Sequence, residues 1–214
     1  DAITASRELE ITLTGKDCGL EERAPMCGVP FHAVDGYLNR LVSKGYKVAI
    51  CEQVEDPKLA KGIVKREVIR IVTPGTNLNT QALEESKNNY LMCIACFQNR
   101  IGVSIVDVTT GDFYMTEVEG LAKLQDEIYK YMPTEIICND AFVMSGYDIE
   151  DLKGRLGMAV YTLEPWYFDD DGCRKCLMNH FKVNTLAGLG LEDFPSGMIS
   201  AGAAMQYLLE TQKT

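Results

Sequence analysis

No apolar stretch of the 214-residue sequence approaches the ~20 residues that a membrane-spanning helix requires. The longest, Met198 to Leu209, is interrupted by Gly202 and Gln206. Nothing at the start reads as a secretory leader, so a reducing cytoplasm is the expected compartment and no membrane partner is expected. There is no G-x-x-x-x-G-K-[ST] phosphate loop, no G-x-S-x-G elbow and no H-E-x-x-H helix, which removes those routes to nucleotide, acyl-transfer and zinc-hydrolase chemistry. The only histidines are His32 and His180, and neither stands in a setting typical of a Ser-His or Cys-His engine. No internal repeat and no low-complexity segment occurs. No catalytic residue and no metal ligand is assigned.

What the chain does have is an ordinary globular composition, 46% hydrophobic and 24% charged, enough for a core and against whole-chain disorder. Its length suits one large domain or two small ones. Charge is uneven. Lys and Arg balance Asp and Glu over residues 1–75, so the net charge of −10 belongs entirely to residues 76–214. Such a break indicates two modules, and an acidic module is repelled by phosphate. The first module carries Lys58, Lys61, Lys65, Arg66 and Arg70 against Glu67 alone. This is either a solvated face or the better place to meet nucleic acid.

The eight cysteines do not form a disulfide framework, since Cys51, Cys93, Cys96 and Cys138 lie in apolar strand-like runs where a free thiol packs as a small hydrophobe. Two C-x-x-C pairs raise zinc. Cys93 and Cys96, three apart in a strand, point to opposite faces. Cys173, Cys176 and His180 share a helix face with Leu177 and Phe181, which reads as core packing.

Periodicity places a helix over residues 2–9 and a strand through Ile11 and Leu13. A polar loop from Thr14 to Pro25 and a rigid Pro25–His32 turn follow. Val34, Tyr37, Leu38 and Leu41 mark a helix ended by Gly45 at C′. Strands follow at Tyr46–Gln53 and Glu67–Val72, then a turn at Thr73-Pro74-Gly75-Thr76. Residues 76–88 read as a linker, with a boundary near residue 85. Beyond it come strands at 90–97, 101–108 and 113–118, a helix to Tyr131, a strand at 135–138, a helix at 148–156, a strand at 158–162, and two helices, one headed by Asp169–Asp171 and one over 197–212. The expected fold class is α/β, two small mixed-sheet domains at 1–80 and 81–214, the second ribonuclease H-like. The chain opens at Asp1 inside a helical pattern and ends without a helix stop, so an excerpt of a longer protein is expected.

That strand order raises an alternative function, a metal-dependent ribonuclease H-like nuclease, in which carboxylates hold two metal ions about 4 Å apart. Asp107, approached by Asp112, Asp140 and Glu210, is the candidate centre. Asp107 equally suits the entry of a tight turn.

Several segments carry a resemblance. Pro25 to Leu38 (PMCGVPFHAVDGYL), Val48 to Gln53 (VAICEQ), Asp56-Pro57, Arg70 to Thr76 (RIVTPGT), Asp107 to Phe113 (DVTTGDF), Leu189 to Glu192 (LGLE) and Ala201 to Lys213 (AGAAMQYLLETQK) closely resemble the N-terminal region of the bacterial MutS family of DNA mismatch repair. The resemblance spans essentially the whole chain. It implies a mismatch-binding domain followed by a connector domain of ribonuclease H-like fold without its catalysis. It also implies a parent that binds mismatched double-stranded DNA as a homodimer, uses ATP and Mg in C-terminal domains not represented here, and recruits MutL through the connector. Lys16, Pro25, Met26, Cys27 and His32 become the DNA-proximal set. Read from residue type alone they are a solvated lysine, a rigid turn and a helix-start histidine. The family's Phe-x-Glu wedge does not occur in this sequence, so weak mismatch binding is expected. On the helix near Cys173–Phe181, Lys175, Asn179 and Lys182 fall opposite Cys173, Leu177 and Phe181 and become the partner-docking set.

Overall fold

The computed structural model describes residues 1–19, 21–78 and 88–213. Of the linker expected over 76–88, residues 79–87, with the boundary near 85, lie outside the described residues, while Thr76 and Asn77 are buried. The first module comprises α1 (Ala2–Leu9), β1 (Thr14–Lys16), β2 (Ala24–Met26), α2 (Val34–Val42), β3 (Val48–Gln53) and β4 (Arg66–Val72). Its strands form two antiparallel hairpins, β1–β2 and β3–β4. Leu38, Val42 and Val72 are buried together, with Val48 and Ile50 packed on them.

The strand expected through Ile11 and Leu13 is corrected to Thr14–Lys16. Ile11 is β-branched, but its backbone is already engaged at the end of α1. Its N–H donates to the Ser6 carbonyl at 3.1 Å, and its carbonyl accepts from Ser6 Oγ at 2.6 Å. A ladder partner cannot take bonds already made. Gly45 does end α2 as expected. The Tyr46 and Gly45 N–H groups donate back to Leu41 and Val42, both across Gly45 at φ 83°, the left-handed cap that glycine adopts without strain.

The second module runs β5 (Tyr90–Phe97), β6 (Arg100–Asp107), β7 (Asp112–Glu119), α3 (Gly120–Tyr131), β8 (Glu135–Cys138), α4 (Asp140–Val143), α5 (Ile149–Gly154), β9 (Ala159–Thr162), α6 (Asp170–Phe181) and α7 (Pro195–Gln212). Its sheet has the order β7-β6-β5-β8-β9. The first three strands are antiparallel hairpins, and β8 and β9 continue parallel to β5, the ribonuclease H-like arrangement. Leu91, Cys93 and Ala95 face α6 and α7, while Met92, Ile94 and Cys96 face α3, α4 and α5. A strand covered on both faces reads as an unbroken apolar run, which is what YLMCIACF is. The two cysteines of that run thus lie on opposite faces.

Helix α7 crosses the sheet closely because its contact face is small. Ser200 Oγ donates to the Cys93 carbonyl at 2.8 Å and lies 2.9 Å from Ser104 Oγ. Two N-terminal amides of α7, Ser196 and Gly197, are capped by Glu117 Oε2 at 2.8 and 3.2 Å, so the helix starts at Pro195 rather than 197. Asp169 accepts from the Gly172 amide at 2.8 Å, and Asp170 and Asp171 occupy the first turn of α6, where the helix dipole favours negative charge. Among the described residues no helix is long and apolar enough to cross a membrane.

At Gly102 a Cβ would be driven into the Ser196 carbonyl, whereas at Gly188 it would meet nothing within 4 Å. Gly102→Ala should cost about 1–3 kcal/mol, and Gly188→Ala should stay within about 0.5 kcal/mol, both read as shifts of the urea midpoint at constant slope.

Candidate nucleic-acid interface

The first hairpin carries most of the expected DNA-proximal residues. Thr14 pairs with Met26, Gly15 with Pro25 and Lys16 with Ala24, and Thr14 Oγ1 donates to the Met26 carbonyl at 2.9 Å. Residues opposite one another share a face, so Lys16 and Met26 stand on one face of the ladder and Pro25 on the other. This corrects the loop and rigid-turn reading, because Pro25 and Met26 are strand residues. Pro25 is tolerated because the ladder is only two strands wide. Lys16, Pro25 and Met26 are exposed and Cys27 is half-buried. His32 is exposed in the single 3-10 turn Phe31–Ala33 that leads into α2. Beside it Phe31 is 86% exposed, an apolar ring left in water that the sequence reading did not single out.

The second hairpin presents the basic stretch. Its connection, residues 54–65, holds Lys58 and Lys61 in the open, together with Leu59 and Ile63 at 80% and 93% exposure. Asp56 and Glu55 are occupied in holding the loop, accepting from the Lys58 amide at 2.9 Å and the Lys65 amide at 2.6 Å. Two of the five cations are already engaged. Lys65 pairs with Glu67 at 2.6 Å, and Arg70 turns inward to the Thr76 carbonyl at 3.2 Å.

Of the acidic set, Asp112 stands opposite Asp107 in the β6–β7 ladder, but the set does not gather into one centre. Asp107 pairs in register with Tyr90 at the start of β5, whereas Cys138, just before Asp140, pairs with Ile94, and the Asn139 side chain bonds the Cys96 backbone. Asp107 and Asp140 therefore stand toward opposite ends of β5, roughly 15–20 Å apart at strand rise. Asp107 is fully buried and acts as the turn residue. It accepts from the Thr109 amide at 2.8 Å, the Thr109 hydroxyl at 2.5 Å and the Asn89 amide at 3.0 Å. Glu210 accepts from the Tyr167 hydroxyl. Among the described residues no group of three or more His, Cys, Asp or Glu is placed to hold a metal.

On α6, Cys173 and Leu177 are buried as expected, and Lys175, Asn179 and Lys182 are exposed. Phe181 is corrected: it is 42% exposed, because α6 ends there and Lys182 takes the left-handed cap at φ 54°.

Residues 1–81 match the family model MutS domain I, and residues 89–214 match MutS domain II. The chain belongs to the MutS family. The relative named DNA mismatch repair protein MutS from Lachnoclostridium phytofermentans is 64% identical over 213 residues, covering 100% of this chain and 23% of its own length. The proteins of the same name from Ruminiclostridium cellulolyticum and Acetivibrio thermocellus are 53% and 50% identical, each over 100% of this chain and 24% of their own length. The chain thus spans about a quarter of the length of these MutS relatives. Nothing in the matches favours a nuclease.

Within this MutS-family chain the Asp107 carboxylate has a structural signature of its own. Burial alone would raise its pKa, but the hydrogen bonds from Thr109, Asn89 and Asn88 outweigh burial and hold it below the usual carboxylate range. A depressed folded pKa contributes stability that is present above the unfolded pKa and lost as pH falls through the folded one. Asp107→Asn should cost about 1–3 kcal/mol at neutral pH. It should also flatten the loss of stability below about pH 4, as followed by urea unfolding across pH. An acid limb unchanged by the substitution would place that titration on another carboxylate.

Proposed function

We propose that this chain is the DNA-contacting and interdomain-coupling region of a longer mismatch-repair protein that binds mismatched double-stranded DNA as a homodimer, and that it carries no catalysis of its own. The observation that carries this reading is the ordered match of both MutS domains along the chain. A division at 80/81 is supported by the change of family model and by the break in charge. ATP and Mg would be handled by regions of the longer protein, since no phosphate loop occurs here. The cytoplasm remains the expected site of action.

The residues proposed to lie against DNA are Lys16, Pro25, Met26, Cys27 and His32. Lys16 supplies a charge for phosphate. Pro25 to Cys27 supply a stiff, partly apolar edge suited to the minor groove. His32 precedes the N-terminus of α2, whose positive end favours phosphate. Lys58 and Lys61 add charge from the second hairpin. With no Phe-x-Glu wedge in the sequence, little remains to offset the cost of unstacking a mispair, and phosphate contact dominates. Fluorescence anisotropy should therefore give weak binding with near-equal affinity for matched and G·T duplexes. Lys16→Glu with Lys58→Glu and Lys61→Glu should weaken both equally and reduce the slope of log affinity against log salt. A clear G·T preference in the unaltered chain would place the mismatch reader among these residues after all.

The exposed row Lys175, Asn179 and Lys182 is proposed to dock MutL, with the neighbouring Asp169–Asp171 shaping the approach of a charged partner. Lys175→Glu with Lys182→Glu, placed in the full-length protein, should weaken MutL capture on mismatched DNA while DNA affinity and ATP turnover stay unchanged. Capture at the original level would move the docking surface elsewhere.

A further inference from the structure

Glu135 is the first residue of β8, in a strand whose four residues are all buried, and it has no exposed surface. A carboxylate there must be fully partnered, and its partners come from both modules. Oε2 accepts from the Gly75 amide at 2.7 Å. Oε1 accepts from the Tyr207 hydroxyl of α7 at 2.6 Å. Gly75 belongs to the turn that directly follows β4. That turn is locked by reciprocal Thr73 and Thr76 bonds at 3.1 and 2.8 Å, and β4 itself is tied to it by Arg70. The approach is close enough that a Cβ at Gly75 would lie 3.0 Å from the Cβ atoms of both Glu135 and Leu91.

The other strand of the hairpin is anchored at the same place. Lys47, just ahead of β3, holds its ammonium 3.8 Å from the Tyr161 ring centre and 4.9 Å from that of Tyr207, a cation–π geometry. The Tyr161 hydroxyl donates to the Gly45 carbonyl. Burial lowers the Lys47 pKa and the opposing Glu135 charge raises it. Burial, helped by the Glu135 charge, pushes the Tyr161 hydroxyl up to about 12 and raises Tyr207 as well, so both tyrosines remain neutral donors at physiological pH.

We infer that Glu135 is a positioning residue: together with Tyr207, Tyr161 and Lys47 it clamps both base ends of the β3–β4 hairpin to the five-stranded sheet and sets the pose of the basic connection that hairpin carries. The clamp concerns the orientation of one module on the other and stands whether or not the connection meets DNA.

Residual dipolar couplings of the nitrogen-15-labelled chain read that orientation. Couplings from residues 1–78 and from 88–213 should fit one alignment tensor in the unaltered chain. Lys47→Met with Tyr161→Phe removes the cation and one hydroxyl at the junction without opening either core. It should split the data into two tensors while each module still fits its own. Glu135→Ala should do the same more completely. If Glu135→Ala fails to fold, the Lys47→Met and Tyr161→Phe pair decides the matter. A single shared tensor retained in the folded variants overturns the clamp. So does a loss of internal fit within a module, since the cluster would then serve that module's own stability rather than its placement.

Discussion

Strand β5 is closed to water on both faces, and much of the second module follows from that constraint. Its alternate side chains need cover above and below, so helices must lie on both sides of the sheet. On one side the cover is α7, and the distance at which it can lie is set by Gly197, Ser200, Ala201 and Ala204. Small residues let it approach until Ser200 reaches the backbone of β5. That close crossing carries the far end of α7 over the start of β8, where Tyr207 meets Glu135. The buried carboxylate is tolerable only because the fold brings donors to both of its oxygens.

The first module is built under a weaker constraint. Only Leu9, Leu38, Val42 and Val72 form its buried apolar set among the described residues, while Ile3, Phe31, Leu59, Ile63, Val68 and Ile69 stay in water. Two-stranded hairpins do not hold a fixed pose by their own packing. Within the module α2 packs on β3–β4 through Leu38 and Val42, while the placement of this unit on the five-stranded sheet comes through the Thr73–Thr76 turn and the Tyr161–Gly45 contact. Asn89 extends this support: its side chain bonds the Pro74 carbonyl at 2.9 Å and accepts from Thr134 at 2.7 Å, while its amide holds Asp107. One polar network thus joins the turn after β4, the start of β5 and the β6–β7 turn.

Elements defined by local chemistry were legible in the sequence. The hairpins β5–β6–β7, the amphipathic α3, the Gly45 cap and the Asp169 cap all announce themselves within a few residues. Misreadings arose where a bond from elsewhere took priority. Ile11 has strand chemistry, yet its backbone is held by Ser6 in the helix before it. Phe181 continues the buried spacing of Cys173 and Leu177, yet the helix ends beneath it. Pro25 looks like a turn residue, yet a narrow ladder accepts it. Glu135 was invisible as a junction because its partners lie 60 and 72 residues away. The one local sign was a lone carboxylate opening the apolar run EIIC.

Charge can now be apportioned by what each cation is doing rather than by count. In the first module Lys44 is held by Glu8 at 3.0 Å, Arg40 lies 3.7 Å from Glu10 and Lys65 pairs with Glu67. Lys47 sits over tyrosine rings and Arg70 is turned into the fold. Among the described residues, Lys16, Arg23, Lys58, Lys61 and Arg66 make no ion pair, and all lie on the two hairpins or their connections. The charge of −10 beyond residue 75 opposes DNA only nearby, since screening at physiological salt limits its reach to about 8 Å. The first module is net neutral, so these cations make a local basic surface and not an attractive module. On the proposed DNA-contacting reading, a phosphate backbone would meet the hairpins and not the acidic module, and the proposed clamp at Glu135 would set where those hairpins stand.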